Sequence, residues 1–163
     1  MNFRLNFAAV CLLATIAVNT IDAKTVVNSS TVPRDIIVVK DIHDFIKNNP
    51  EVKLMPMTKE ARRLRTQSVQ YTLGARVHGD QLVGQESEQF TYPAKKDVTI
   101  QLTYPEYGTG SILTFVSLTC NQDSDDGNAY ILEGGIGQSF ISIIIEADQT
   151  ENFSYKALYY GMN

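Results

Sequence analysis

The segment Val98-Thr99-Ile100-Gln101-Leu102-Thr103-Tyr104 alternates apolar and polar side chains without interruption. Successive side chains of a β-strand point to opposite faces, so this period of two predicts a strand with one buried face. Outward from it, residues 71–78 and 153–159 show the same alternation. The runs Ile112–Cys120 and Phe140–Ala147 are apolar on both faces, which is typical of central strands.

Turn-forming residues separate these runs. They lie at Gly79-Asp80, Tyr92-Pro93, Pro105 to Gly110, Asp125 to Asn128 and Gly134 to Gly137. Short strands with turns at near-regular spacing favour an all-β fold, an antiparallel β-sandwich or small barrel of about seven strands. The last 95 residues or so are enough chain for one hydrophobic core.

The 163 residues divide into three segments of different composition: 1–23, 24–68 and 69–163. All glycines and tyrosines lie in the third, which we predict to be the β-sandwich domain. The second carries a net charge of +4 and the third −8, and such an asymmetry marks a junction. We therefore predict that residues 24–68 form a basic N-terminal arm or propeptide.

This arm is predicted to be weakly structured and partly helical. Asp41 is a candidate N-cap, followed by apolar residues at helical spacing, and Asn49-Pro50 would end the helix. A second short helix is predicted from Thr58 to about Gln67, and a short strand at 36–39. Helices of this length need packing to persist in water.

The first segment has the pattern of a secretory signal peptide. Arg4 precedes an apolar run from Phe7 to Val18, and small or neutral residues lead to Ala23. The alternative is a membrane anchor, but a run of twelve residues is too short to cross ~30 Å of hydrocarbon. The sequence therefore predicts a secreted, extracellular protein with no membrane contact after the signal is removed.

Secretion has consequences for several residues. Asn28 and Asn152 begin Asn-x-Ser sequons and become candidate glycosylation sites. Cys120 is left as the single cysteine, which we expect to be a buried, unpaired thiol; an interchain disulfide is the alternative.

A short basic run ends the arm. Its arginines, Arg62, Arg63 and Arg65, form a candidate processing site. Two other interpretations stay open: a solvated helix face, and electrostatic docking of the basic arm on the acidic domain, which would be salt-sensitive.

The sequence contains no recognisable catalytic, cofactor-binding or metal-binding motif. Ser139 lacks the second glycine of a nucleophile elbow, and His78 lies near Asp80 but on a predicted polar face. The acidic turn from Asp123 to Asn128 departs from an EF-hand loop, leaving a solvated turn as the default and a different calcium site as the alternative. The net charge of −4 disfavours general nucleic-acid binding.

The domain nevertheless resembles a known family. Matching stretches in order are 74–83, 98–105, Ile112 with 126–129, 134–137, and the ending Tyr160-Gly161. This series is similar to the multiprotein bridging factor two family of arthropods. The resemblance implies no enzymatic site. It also implies a role in transcription, because the family is named for a transcriptional coactivator that bridges a nuclear receptor to the basal machinery.

We therefore expect a secreted, non-enzymatic β-domain that binds an extracellular protein or small ligand, without cofactor, metal or nucleic acid. The alternative is a transcriptional coactivator, as the family name implies. A cryptic hydrolase and a structural role in a secreted matrix are further alternatives. The sequence alone does not identify the ligand or the oligomeric state.

Overall fold

The computed structural model describes residues 41–60, 68–124 and 126–163, and most of these residues lie in antiparallel β-strands. The elements in chain order are α1 (Ile42–Asn48), β1 (Met55–Pro56), β2 (Thr58–Glu60), β3 (Ser68–Gly74), β4 (Gln81–Tyr104), β5 (Ile112–Gln122), β6 (Gly127–Gly134) and β7 (Ile141–Met162). The predicted all-β class and the number of strands are confirmed.

The strands form one sheet that is nearly closed as a barrel. Its order is β1-β6-β7-β5-β3-β2, and β4 pairs with the other edge of β7. The long strand β7 is central: residues 141–147 pair with β6, residues 153–162 pair with β5, and β4 runs beside both parts. The two-sided burial of its first half follows from this position, as the apolar run predicted.

A bend divides the sheet into two halves that face each other. The β4–β7 register shifts twice between Thr91 and Val98, and such bulges let strands turn a corner without ending their pairing. The halves meet in the core, where the ring of Tyr104 stacks on that of Tyr159 with centroids 4.9 Å apart. The turn predicted at Tyr92-Pro93 is therefore wrong, because β4 continues through it as one strand.

The core lies between the two halves of the sheet. Its fully buried side chains come from facing positions of the central strands: Tyr71, Leu113, Val116, Leu118, Ile141, Ile143, Ile145, Phe153, Ala157 and Tyr159 are all at most 2 % exposed. Burial of this apolar area stabilises the fold without any disulfide among the described residues.

The outer face of one half is covered by α1. Asp41 caps the helix by accepting a hydrogen bond from the Asp44 backbone N–H at 3.0 Å, and Ile42 is buried against Ile144 of β7. Asn49 follows the last helical residue. The first predicted helix of the arm is thus confirmed, with its predicted cap.

The second helix predicted for the arm is wrong over the residues that the structure describes. Residues 58–60 are strand β2, and they pair with β3 in the register Thr58↔Thr72 to Glu60↔Gln70. Hydrogen bonding to a neighbouring strand has overridden the local helical pattern. Residues 61–67 and the predicted strand at 36–39 lie outside the described residues, and the divisions at residues 23 and 68 stay predictions.

Candidate functional site: an apolar end of the sandwich

Five large apolar side chains are exposed where several chain segments meet at one end of the sheet. Each exposes between 40 and 48 % of its surface. We call this surface the apolar end; its members are Val77, Leu82, Ile112, Ile136 and Met162. Exposed apolar side chains are ordinary when scattered, whereas a group of them marks an interaction surface.

Strand pairing brings three of these side chains together. Ile112 of β5 lies opposite Met162 of β7, and Leu82 of β4 lies opposite Tyr160. Directly opposed residues of antiparallel strands point to the same face, and so do residues two apart along one strand. Tyr160 and Met162 therefore share a face, with the ring of Phe115 6.0 Å from that of Tyr160.

An ion pair fixes the turn between β3 and β4 beside this surface. The Arg76 guanidinium donates hydrogen bonds of 2.7 to 3.0 Å to both oxygens of Asp80. Asp80 also accepts from the Val77 backbone N–H at 3.0 Å and from the Thr114 hydroxyl at 2.9 Å. The Arg76 hydrogen bonds, then the bonds from Val77 and Thr114, hold the pKa of the Asp80 carboxyl well below its ordinary value.

The same arginine connects the turn to the aromatic part of the surface. The Arg76 guanidinium carbon lies 3.7 Å from the centroid of the Tyr160 ring, which is a close cation–π contact. Val77, the next residue, is exposed in this same turn. The sequence alternation predicted a strand over residues 71–78, but β3 ends at Gly74, because this ion-paired turn begins directly after it.

The turn between β6 and β7 places the exposed Ile136 at the same end of the sheet. The Gly137 backbone N–H donates to the Leu113 carbonyl at 2.8 Å, and the Leu113 N–H donates to the Gln138 carbonyl at 2.9 Å. These bonds hold the turn against the start of β5. The predicted glycine-rich turn at 134–137 is present, and it carries a side chain of the apolar end rather than an anion-binding helix terminus.

A second, polar feature lies at the bend of the sheet. A cleft of about 270 Å³ is lined by Gln89, Asn121, Gln122, Asp123, Asn152, Phe153 and Ser154. Asp123 accepts from the backbone N–H groups of Glu151 and Asn152 at 2.8 and 2.9 Å, so its carboxylate stabilises the bend. These hydrogen bonds lower the pKa of Asp123. Within the described parts of the chain, no three His, Cys, Asp or Glu side chains could hold a metal ion together.

The remaining sequence-predicted residues lie apart from the apolar end. Cys120 is free and fully buried, and burial raises the pKa of its thiol to about 12. Asn152 is exposed on β7, where its side-chain oxygen accepts from the Thr91 hydroxyl at 3.4 Å. His78 is exposed, and Asp80 is committed to Arg76 rather than to orienting that imidazole.

All three candidate processing residues and one of the two sequons lie outside the part of the chain that the structure describes. These residues are Arg62, Arg63, Arg65 and Asn28. Glycosylation at Asn28 or Asn152 and processing at the arginine run therefore stay predictions. In the described part of the chain, no helix has the length and apolar character needed to cross a membrane.

Sequence reasoning missed the apolar end as a site. Its side chains come from five separate segments of the chain, and no local pattern marks them as neighbours. The one usable signal is the placement of Val77, Leu82 and Ile112 next to the predicted turns at Gly79-Asp80 and Pro105 to Gly110.

A protein-family model matches the second half of the chain. The family model described as "Transcription activator MBF2" matches residues 73–161, which cover four of the five members of the apolar end. No curated protein and no solved structure matches the chain.

This match corrects several expectations. The prediction of a secreted protein that binds an extracellular protein or small ligand is wrong, because a transcription activator works with nuclear partners. The signal-peptide and secretion assignments are unsupported for the same reason, and the family points to a nuclear or cytoplasmic location. The expected exclusion of nucleic acid is also overturned, since such partners include DNA-binding factors.

The secretion prediction depended on one short segment of the chain. A short apolar run after one arginine is a compositional signal, and it does not by itself determine the compartment in which a protein works. The match over residues 73–161 is far longer, and it contains strands from β4 to β7. The chain belongs to the MBF2 family of transcription activators.

Proposed function

We propose that this protein is a non-enzymatic transcriptional coactivator, which bridges a DNA-bound factor to the basal transcription machinery through the apolar end. The family match over residues 73–161 carries the proposal. A bridging factor needs an exposed surface that a partner protein can cover. The apolar end meets that requirement without any conformational change in the described strands.

The composition of this surface supports binding to protein. A few well-packed apolar and aromatic side chains at the centre of an interface contribute most of its binding energy. Here Leu82 lies opposite the partly exposed Tyr160, Ile112 lies opposite Met162, and Arg76 lies over the ring of Tyr160. Tyrosine and arginine are both enriched among residues that dominate interfaces.

The absence of catalysis is part of the proposal. Candidate catalytic groups have other environments: the Cys120 thiol is buried within β5, Asp80 is ion-paired with Arg76, and His78 is exposed. A triad requires a nucleophile within hydrogen-bonding distance of an oriented base. These positions favour a binding role.

Recruitment to a promoter tests the proposed function. The full chain would be fused to a heterologous DNA-binding domain and expressed in cells that carry a matching reporter. We expect reporter transcription to rise above that of the DNA-binding domain alone, and a tagged chain without the fusion to be found in cell extract. Reporter transcription at the level of the DNA-binding domain alone would refute the coactivator assignment.

A further inference from the structure

The strand β4 has one free edge. Of the strands that the structure describes, only β7 is paired with β4, although β4 extends over 24 residues from Gln81 to Tyr104. The backbone N–H and C=O groups along its other edge therefore have no strand partner in the described part of the chain. An extended peptide can add to such an edge as a further strand, with backbone hydrogen bonds supplying affinity.

Two carboxylates of this edge strand lie on its core-side face, Glu86 half-buried and Glu88 exposed. Glu86 lies opposite Ala157 and Glu88 lies opposite Tyr155, and both partners are buried on the core side of β7. The Tyr159 hydroxyl donates a hydrogen bond to Glu86, and the Tyr155 hydroxyl donates to Glu88 at 3.5 Å. Neither carboxylate makes an ion pair with a described residue.

A third carboxylate lies near the first two. The bend packs the Tyr104 ring over Gly84, where an added Cβ would come within 2.8 Å of the ring, so the two ends of β4 approach each other. Glu106 follows Tyr104 by two residues. Burial first, and then the negative charges of Glu106 and Glu88, raise the pKa of Glu86. This part of the edge therefore brings three carboxyl groups together, and among the described residues no cation is paired with Glu86 or Glu88.

Inward charges on an edge strand select what can pair with it. An apolar strand laid along β4 would bury these carboxylates without a partner, and that is unfavourable. A strand with cations at alternate positions would place each cation on the same face as the carboxylates, because side chains repeat every two residues.

We propose that the free edge of β4 binds an extended segment of a partner protein that carries lysine or arginine at alternate positions, facing Glu86 and Glu88. The inference rests on the proposed bridging function, since a bridge needs a second binding surface besides the apolar end. The apolar end takes apolar side chains on the outer face of the sheet, whereas this edge takes a basic strand, so the two surfaces suit different partners.

A synthetic peptide of alternating lysine and valine, blocked at both ends, is the probe. Titrated into the isotopically labelled full chain, it should shift backbone amide signals of β4 residues around Glu86 and Glu88, and increasing salt should weaken its binding. The double variant Glu86→Gln with Glu88→Gln should bind it about tenfold more weakly, because two charge-assisted contacts are lost. The matched control, Glu133→Gln with Glu151→Gln, removes the same charge from exposed sites elsewhere and should bind as the wild type does.

The wild-type chain supplies a second test that needs no variant. The same peptide with N-methyl groups on every second residue keeps its charges but cannot complete a strand ladder, so it should not bind. Any of three results would overturn the inference. The first is binding of the methylated peptide as tightly as the unmodified one, and the second is the same loss of affinity for the peptide in both double variants. The third result is self-association of the chain through β4 that excludes the peptide. A chain that activates the reporter but ignores the peptide would refute this inference alone; one that binds the peptide but does not activate would refute the proposed function.

Discussion

At the residue scale, the turn that presents Val77 depends on Asp80. Its carboxylate is 2 % exposed and accepts hydrogen bonds from Arg76, Val77 and Thr114. The sequence shows an arginine and an aspartate four residues apart, but it does not show that both belong to a turn. The contact with Thr114 joins two segments 34 residues apart, and only the folded sheet reveals it.

The lowered pKa of Asp80 makes a prediction about acid stability. A carboxyl whose pKa is lower in the folded state stabilises that state above the unfolded pKa of about 3.9, and loses this contribution as the pH falls through the folded pKa. Asp80→Asn should therefore lower the melting temperature by a constant amount between about pH 5 and 7, and by a shrinking amount below about pH 4. Thermal melts across this range, with the exposed Glu133→Gln as control, measure it. A difference that grows on acidification would contradict the assignment.

Alanine substitutions at Gly74 and Gly108 distinguish the stability cost of backbone conformation from that of steric crowding. Both have positive φ, +74° and +75°, but an added Cβ at Gly74 would lie 2.3 Å from the Thr114 carbonyl oxygen and 2.8 Å from the Ile136 side chain. At Gly108 nothing lies within 4 Å. Gly108→Ala should cost about 1 kcal/mol from conformation alone, and Gly74→Ala about 1–3 kcal/mol more from crowding. Chemical denaturation measures both; equal costs would show that the turn is not packed as described.

At the element scale, periodicity located strands but not their ends. Residues 98–104 lie in β4 with Val98, Leu102 and Tyr104 buried, as their alternation predicted. The runs predicted as separate strands at 140–147 and 153–159 belong to the single strand β7, because the bend at residues 148–152 keeps its pairing with β4. A bulge is a property of the strand pair, so one strand's sequence does not specify it.

The helix α1 offers a prediction at this scale. A helix of seven residues is marginal without tertiary contacts, and Ile42, at 2 % exposed, is its one buried residue. Ile42→Ala should reduce the protection of α1 amides from hydrogen exchange by about 2 kcal/mol while leaving β7 protected. Ile46→Ala, in the same helix but 45 % exposed, should change it by less than about 0.5 kcal/mol. Similar losses in both variants would contradict the docking of α1 through Ile42.

At the scale of the whole molecule, topology creates a surface that no segment contains. Val77, Leu82, Ile112, Ile136 and Met162 are up to 85 residues apart, yet the ends of three strands and two turns bring them to one end of the sheet. The residues of the sequence sufficed to predict the all-β class, and the resemblance to a known family was confirmed. They did not suffice to predict this surface, since it depends on which strands become neighbours.

The most direct test of the account compares two pairs of exposed apolar residues in the promoter-recruitment assay. Ile112→Ser with Met162→Ser removes the centre of the apolar end, whereas Ile46→Ser with Met55→Ser removes side chains of similar exposure elsewhere. Each truncated contact in the centre of an interface costs on the order of 1–2 kcal/mol of binding, so the first pair should lower transcription about tenfold or more. The control pair should retain wild-type transcription. Full activation by the first variant, with its fold verified, would contradict the claim that this surface binds the partner.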